Sequence, residues 1–285
     1  RMAVGNHIMG AVMGLRGHAV MGPLKHIKRL DVVRRDDRDF HAVTGPFRKG
    51  RICSRTSFCS SVFEPGECPS GVVCTGLPDM NISQPLPEKI RIARSFGDAA
   101  STYDRYAHIQ RDIAKKLFAE LKAEKIQQIL DLGSGTGHCA IELSSRFPSA
   151  EITSLDIAED MLVYARKENA KSDEAWVCGD AELLPFGNEI FDLVVSNLTL
   201  QWCHNPANIF AEILRVIKPG GRALLSTLVE GTLSELRESW AAVDDFVHVN
   251  HFLSFDAINK ALAELAFSDK RLRRSQEQYY YESLQ

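Results

Sequence analysis

Apolar and polar positions alternate regularly in the later part of the chain and irregularly in the earlier part. Residues 1–79 show no sustained helical or strand period, whereas from Glu88 apolar positions recur at helical spacing. From residue 127 onward, short apolar runs alternate with helical patterns, an order typical of βαβ units. We therefore predict a disordered or non-native extension at 1–79, a helical lid at 80–126 and an α/β domain at 127–285.

Individual elements follow from the same pattern. Apolar residues four apart, from Ile109 to Leu121, predict a helix over about 105–124. Asn205 followed by Pro206 predicts the start of another helix, because Asn is a favoured N-cap and Pro is favoured at the first helical position. The predicted strands are 127–132, 151–155, 175–179, 191–197, 222–228 and 271–281.

A glycine-rich turn follows the first predicted strand and precedes a helix. Gly133, Gly135 and Gly137 occupy alternate positions, with Ser134 between the first two. Glycines allow positive φ and let a ligand approach bare backbone. The turn differs from the dinucleotide fingerprint Gly-x-Gly-x-x-Gly, and Asp131 just before it would repel a pyrophosphate. A carboxylate there suits a cationic ligand, which favours S-adenosylmethionine over NAD.

Two further acids follow the second and third predicted strands. Asp156 lies 19 residues beyond Gly137, where an acid can hold the ribose hydroxyls of a nucleoside. Its alternative role is that of an acid at a helix N-terminus, stabilised by the helix dipole. Asp180 follows the third strand and can accept the adenine amino group.

Composition narrows the function classes. The chain has 285 residues, 45% hydrophobic and 25% charged, and a net charge of −3, which gives no general case for nucleic-acid binding. The excess of basic residues lies in 1–79, and the rest of the chain is acidic. No apolar run reaches the roughly 18 residues of a membrane span. The seven cysteines form no Cys-x-x-Cys pair, so we expect reduced thiols in the cytosol and no metal.

The motifs together resemble those of class I S-adenosylmethionine-dependent methyltransferases over 127–228. The resemblance rests on the Leu-Asp-Leu-Gly-Ser-Gly-Thr-Gly run at 130–137, Asp156, Gly179-Asp180, Phe191-Asp192 and Lys218-Pro219-Gly220-Gly221, in order at matching separations. Residues 196–203, residues 227–236 and the segment 96–103 with Gln110 are similar to the malonyl-[acyl-carrier protein] O-methyltransferases of biotin synthesis.

The resemblance implies a Rossmann-like, doubly wound α/β fold with a mostly parallel sheet. That family continues beyond the equivalent of Gln285 to a last antiparallel strand, so we expect this strand to be missing, and 1–79 has no counterpart in the family. The implied cofactor-binding residues are Asp131, Gly133, Ser134, Gly135, Gly137, Asp156, Ile157, Met161, Asp180, Ala181, Asn197 and Leu198. The implied substrate-binding residues are Tyr103, Gln201 and Trp202. Core packing is the alternative for Trp202, and a helix-end hydrogen bond is the alternative for Gln201.

The implied reaction transfers a methyl group to the free carboxylate of a malonyl thioester on acyl-carrier protein, an early step of biotin synthesis in the cytoplasm. A carboxylate with a pKa of about 4 is already ionised, so no catalytic base is expected. The open alternatives are methylation of another small carboxylic acid or a quinone precursor, and a catalytically silent cofactor-binding protein. An acidic carrier protein would need a basic surface, for which the candidates are Lys115, Lys116 and Lys122 or Arg271, Arg273 and Arg274.

Overall fold

The structure is a computed structural model that describes residues 88–121, 125–169 and 174–276. It also describes the backbone of four short strand segments at 24–27, 33–34, 73–74 and 277–279. The expectation of a disordered or non-native extension falls mostly on 1–79, and apart from three of these strand segments that region lies outside the described residues.

From residue 128 to residue 226 the described strands are mostly separated by helices, except that the strand at 191–197 follows the strand at 175–178 directly. The strands are β1 (Leu24–Ile27), β2 (Val33–Arg34), β3 (Val73–Cys74), β4 (Gln128–Leu132), β5 (Glu151–Asp156), β6 (Ala175–Cys178), β7 (Phe191–Asn197), β8 (Ile217–Ser226), β9 (Asp269–Lys270) and β10 (Glu277–Tyr279). The helices are α1 (Glu88–Tyr106), α2 (His108–Phe118), α3 (His138–Arg146), α4 (Glu159–Glu168), α5 (Pro206–Val216), α6 (Ser234–Ala241) and α7 (Phe255–Ala263), with a 3₁₀ turn at Leu200–Trp202.

The main sheet has the strand order β3-β6-β5-β4-β7-β8-β2-β9. Strands β3 to β8 pair in parallel, and β2 is antiparallel to both β8 and β9. The chain runs from β4 outward to β6 and then returns to β7 on the other side of β4. This reversal confirms the doubly wound fold, and ligands of such sheets bind at the carboxyl ends of the strands where the order reverses.

Both faces of the sheet are buried, which explains the nearly continuous apolar strands. In β4, Ile129 packs on one face with Leu117 of α2 and Leu143 of α3. Leu130 faces the opposite side, in a cluster with Phe210 of α5. Successive strand residues point to opposite faces, so β4 fixes both helical layers at once.

Three predicted elements differ from the structure. The bounds of the helix predicted over 105–124 are wrong, because the helical conformation is interrupted at Ala107 and α2 ends at Phe118. Strand β8 begins at Ile217 rather than 222: Ile217 pairs with Phe191 and Arg222 with Leu193, so the Lys-Pro-Gly-Gly residues between them bulge from the strand. The strand predicted at 271–281 is replaced by β9 and β10. An antiparallel strand is nevertheless present between β8 and β9, supplied by β2.

Candidate functional site

The glycine turn lies at the carboxyl end of β4 and leads directly into α3. Gly133, Gly135 and Gly137 have φ values of +75°, +53° and +82°, a region that L side chains rarely adopt. A Cβ on Gly133 would lie 2.0 Å from Thr199 Oγ1, whereas a Cβ on Gly135 would meet nothing within 4 Å. The first glycine therefore admits a close neighbour, and the second presents bare backbone to open space.

Asp131 is a buried carboxylate with an unused oxygen. Its exposed fraction is 1%, and among the described residues its Oδ2 has no hydrogen-bond partner. Burial, followed by the charges of Glu174 and Asp156, raises the pKa of Asp131 well above its ordinary value, against a hydrogen bond from the backbone of Ala140. Burying a charge is costly unless it is paired. The orphaned oxygen therefore fits the ammonium or sulfonium of the predicted cofactor, S-adenosylmethionine.

Asp156 binds the glycine turn. The Gly135 N–H donates to Asp156 Oδ2 at 2.8 Å, and the Ala158 N–H donates to Oδ1 at 2.9 Å. Burial raises the pKa of Asp156 and these backbone bonds oppose the rise, with a net upward shift. The carboxylate thus fixes the backbone of the turn and of the residue before α4. Each oxygen keeps a further lone pair that a ribose hydroxyl could use.

The predicted cofactor residues that follow Asp156 and Asp180 differ in how deeply they are buried. Ile157 is half-buried, whereas Met161 is fully buried between α4 and the lid helix α1, in contact with Ala100. Asp180 follows β6, and its Oδ1 accepts the Glu182 N–H at 2.9 Å while its Oδ2 accepts Lys89 Nζ at 2.6 Å. Ala181 is buried next to it.

Helices α1 and α2 make up most of the segment predicted as a lid, and both are hydrogen-bonded to residues at the carboxyl ends of the strands. Thr136 Oγ1, in the glycine turn, donates to Asp104 Oδ1 at 2.7 Å. Asn197 Nδ2, at the end of β7, donates to the carbonyl of Gln110 at 3.0 Å. Gln110 Oε1 and the Ser134 hydroxyl are buried without a partner in the described region. These unpaired polar groups mark the space between lid and turn as one that a polar ligand can fill.

The end of β7 is held in an unusual backbone conformation. Asn197 Oδ1 accepts Ser226 Oγ at 2.7 Å, and Leu198 has a φ of +59° although it is not a glycine. The Leu198 N–H donates to the carbonyl of Ser226 at 3.0 Å, which maintains this conformation. Strained residues cluster at ligand sites, so the geometry agrees with a cofactor role for this pair.

The three substrate-side candidates have different surroundings. Trp202 packs edge-on against Phe96 of the lid, with 5.2 Å between ring centroids, and Phe96 lies 6.2 Å from Tyr103. Burial and the Asp156 charge raise the pKa of Tyr103 far above its ordinary value, so its hydroxyl stays protonated. Gln201 Nε2 donates to the Leu198 carbonyl at 2.7 Å and its Oε1 accepts Thr227 Oγ1 at 3.0 Å. Gln201 therefore secures the 3₁₀ turn, as its alternative role predicted.

Among the described residues, the other chemistry-bearing groups do not form a second centre. Burial raises the pKa of the Cys139 thiol well above its ordinary value and that of Cys203 to about 12, which leaves both as poor nucleophiles. Within the described ranges, no three His, Cys, Asp or Glu side chains come together as metal ligands. In the same part of the chain, no helix has the length and apolarity needed to cross a membrane.

Three residues at this site were not predicted from the sequence. Lys89, Asp104 and Thr136 hold the lid to the acids and to the glycine turn. Thr136 lies within the glycine-rich motif, whereas Lys89 and Asp104 lie in segments that carry no local motif for this role. Their pairing arises when the lid folds over the carboxyl edge of the sheet, so sequence spacing offered no signal.

Comparisons with known proteins agree with the geometry. The Methyltransferase domain family matches residues 130–225. The chain is 41% identical over 198 residues to the malonyl-[acyl-carrier protein] O-methyltransferase of Methylococcus capsulatus, covering 68% of this chain and 72% of that protein. It is also 41% identical over 198 residues to the biotin biosynthesis bifunctional protein BioHC of Cellvibrio japonicus, covering 69% of this chain and 39% of that longer protein.

A solved structure is similar as well. Phosphoethanolamine N-methyltransferase 2 of Haemonchus contortus, in complex with phosphomonomethylethanolamine and S-adenosylhomocysteine, matches with a TM-score of 0.49 and 24% identity. The match covers 64% of this chain and 44% of that one.

Proposed function

Because the chain belongs to the family of malonyl-[acyl-carrier protein] O-methyltransferases, we propose that it methylates the free carboxylate of a malonyl thioester carried by acyl-carrier protein. The donor is S-adenosylmethionine, and the reaction is an early step of biotin synthesis in the cytosol. The supporting observation is the 41% identity to a relative of that name whose length the chain covers by 72%. The buried, unpaired Asp131 oxygen supports the cofactor.

The bound cofactor supplies an electrophilic methyl group on a sulfonium. Asp131 would pair with its ammonium group, Asp156 with the ribose and Asp180 with the adenine amino group. The lid bonds between Asp104 and Thr136 and between Gln110 and Asn197 close the site over the glycine turn. A closed site excludes water and keeps the reacting groups aligned, which is the main task here.

The acceptor needs no general base from the protein. A malonyl carboxylate with a pKa of about 4 is ionised at neutral pH, so the protein need not remove a proton from it before methyl transfer. Tyr103 keeps its proton because of burial and the nearby Asp156, so it can donate a hydrogen bond to the carboxylate but cannot accept a proton from it. We assign Tyr103 to orientation of the acceptor, with Trp202 and Phe96 forming an aromatic wall beside it.

Of the basic residues considered for carrier docking, Lys115, Lys116 and Arg273 lie away from this site, and Lys122 lies outside the described residues. Lys115 and Lys116 are in the last turn of α2, and Arg273 bonds Glu120 just beyond that turn at 2.6 Å. Arg146, the last residue of α3, donates to the Phe118 carbonyl at the same end. Since α3 starts at the glycine turn and runs back toward the start of β5, this end lies at the amino edge of the sheet. A carrier bound there would be at the opposite edge from the cofactor.

The test is a methyl-transfer assay by mass spectrometry on the full-length protein. With S-adenosylmethionine present, we expect one methyl ester, a gain of about 14 Da, on malonyl-acyl-carrier protein. Malonyl-coenzyme A, free malonate and acetyl-acyl-carrier protein are parallel substrates, and Asp131→Asn is the matched cofactor-site control. Acetyl-acyl-carrier protein has no free carboxylate and should stay unmodified.

The possible results distinguish the proposed function from its alternatives. Methylation of free malonate but not of the carrier thioester would replace the proposal with a small-acid methyltransferase. Tight binding of S-adenosylhomocysteine without any transfer would indicate a silent cofactor-binding protein. A bacterial strain that lacks its own malonyl-[acyl-carrier protein] O-methyltransferase provides a test in cells. If this protein has the proposed function, its expression should allow that strain to grow without biotin.

A further inference from the structure

A largely buried group of three charges joins the lid to the end of β6. Lys89 Nζ lies 2.6 Å from Asp180 Oδ2 and also contacts Glu182 Oε2. The side chains of Lys89, Asp180 and Glu182 are 19%, 15% and 5% exposed. A lysine in the first turn of a helix opposes the helix dipole, so the local sequence does not favour this position for a cation. The favourable contacts with Asp180 and Glu182 explain why a lysine is present here.

Glu182 is fixed from its other side. Its carboxylate accepts the N–H groups of Asn205, at 2.8 Å, and His204, at 3.1 Å, just before α5. Burial lowers the pKa of Lys89, but hydrogen bonds to both acids outweigh it and the net shift is upward. Burial likewise raises the pKa of Glu182, and Lys89 with the two backbone donors reverses the shift to a net lowering. Lys89 and Glu182 are therefore both charged at neutral pH.

Asp180 depends on Lys89 for its orientation. The Glu182 N–H holds Asp180 Oδ1, and Lys89 holds Oδ2. Without the ammonium, the Asp180 and Glu182 carboxylates would keep only their backbone hydrogen bonds and would repel each other. Asp180 would turn toward solvent, away from the adenine position assigned to it above.

We propose that Lys89 is a positioning residue for the cofactor, holding the Asp180 carboxylate where it accepts the adenine amino group and tying the first turn of the lid to the same carboxylate. This inference rests on the proposed use of S-adenosylmethionine. It adds a role for a lid residue in recognising the base.

The test compares binding of S-adenosylhomocysteine with binding of S-inosylhomocysteine, in which a carbonyl oxygen replaces the amino group of the base. A hydrogen bond to a charged acceptor corresponds to about 10- to 100-fold in affinity. We expect the wild type to prefer the adenosyl ligand by this factor and Lys89→Met to lose most of the preference. Lys89→Arg should keep it, and Lys115→Met, on an exposed part of the lid, is the matched control.

A second variant separates positioning from folding. Glu182→Gln in the Lys89→Met background removes the repulsion between two carboxylates at the cost of one backbone hydrogen bond, so it should raise the unfolding midpoint above that of Lys89→Met without restoring the preference for the adenosyl ligand. If Lys89→Met weakens both ligands by the same factor, Lys89 is structural and the proposal is wrong. A wild type that binds both ligands equally also refutes it while leaving cofactor use intact. A wild type that binds neither refutes the proposed function itself.

Discussion

Gly133 and Gly135 have the same backbone requirement but different surroundings, and alanine at each should have different consequences. Both φ values are positive, and the left-handed conformation costs a non-glycine residue about 1–2 kcal/mol. At Gly135 a methyl group meets nothing within 4 Å, and the lower entropy of the unfolded chain returns about 0.4–1 kcal/mol. We therefore expect Gly135→Ala to lower the free energy of unfolding by less than about 1.5 kcal/mol.

At Gly133 the methyl group would lie 2.0 Å from Thr199 Oγ1 and 2.5 Å from its Cγ2. Overpacking adds about 1–3 kcal/mol to the backbone strain, for a total of roughly 1–4.5 kcal/mol after the same entropic return. Each kcal/mol lowers the unfolding midpoint by about 2–4 °C in a protein of this size. Gly133→Ala should thus melt well below Gly135→Ala in thermal unfolding followed by circular dichroism.

For cofactor binding, measured on folded protein, we expect Gly135→Ala to have the larger effect of the two glycine variants. The methyl group of Gly135→Ala occupies the open space where we place the ligand, so affinity for S-adenosylhomocysteine should fall at least about tenfold in calorimetry. Thr199→Ala removes the two nearest clashing atoms and should partly rescue Gly133→Ala, giving a coupling of about 0.5–3 kcal/mol. Equal melting of the two glycine variants, or unchanged affinity of Gly135→Ala, would refute the reasoning.

Three further predictions concern the polar side chains of the site. Because the folded-state pKa of Asp131 is raised, its contribution to stability is present below about pH 4 and is lost as pH rises through the raised pKa. At pH 8, Asp131→Asn should therefore raise the unfolding midpoint of the cofactor-free protein relative to wild type and weaken the binding of S-adenosylmethionine at least about tenfold. A lowered midpoint would contradict this. Asp156→Ala should lower both affinity and stability, since each charged hydrogen bond to Gly135 and Ala158 contributes about 1.5–3 kcal/mol, and unchanged calorimetric affinity would make Asp156 purely structural. Tyr103→Phe should lower the turnover number more than the affinity for S-adenosylhomocysteine, whereas equal losses would place the hydroxyl on the cofactor.

Several features of the fold could be predicted from local patterns. Strand β7 matches its predicted bounds because a central parallel strand is apolar throughout and needs no partner to be recognised. The N-cap at Asn205 is confirmed, with its side chain accepting the Ala207 N–H, because capping depends on residues a few positions apart. The predicted ends of elements were less accurate where tertiary pairing overrides local preference. The first residues of β8 pair with Phe191 across a bulge that no local signal requires.

The sequence by itself determined the order of the elements, the glycine turn and the acids that follow the strands. These features arise from short-range chemistry: positive φ demands glycine, and apolar runs demand burial. The tertiary structure alone decided which acid keeps an unused oxygen and which is already bound. Asp131 is left with an orphaned oxygen, Asp156 is bonded to the turn, and Asp180 is held by Lys89, 91 residues away along the chain. A residue's partners at such separations depend on how the lid packs over the sheet, and spacing along the chain carries no information about that.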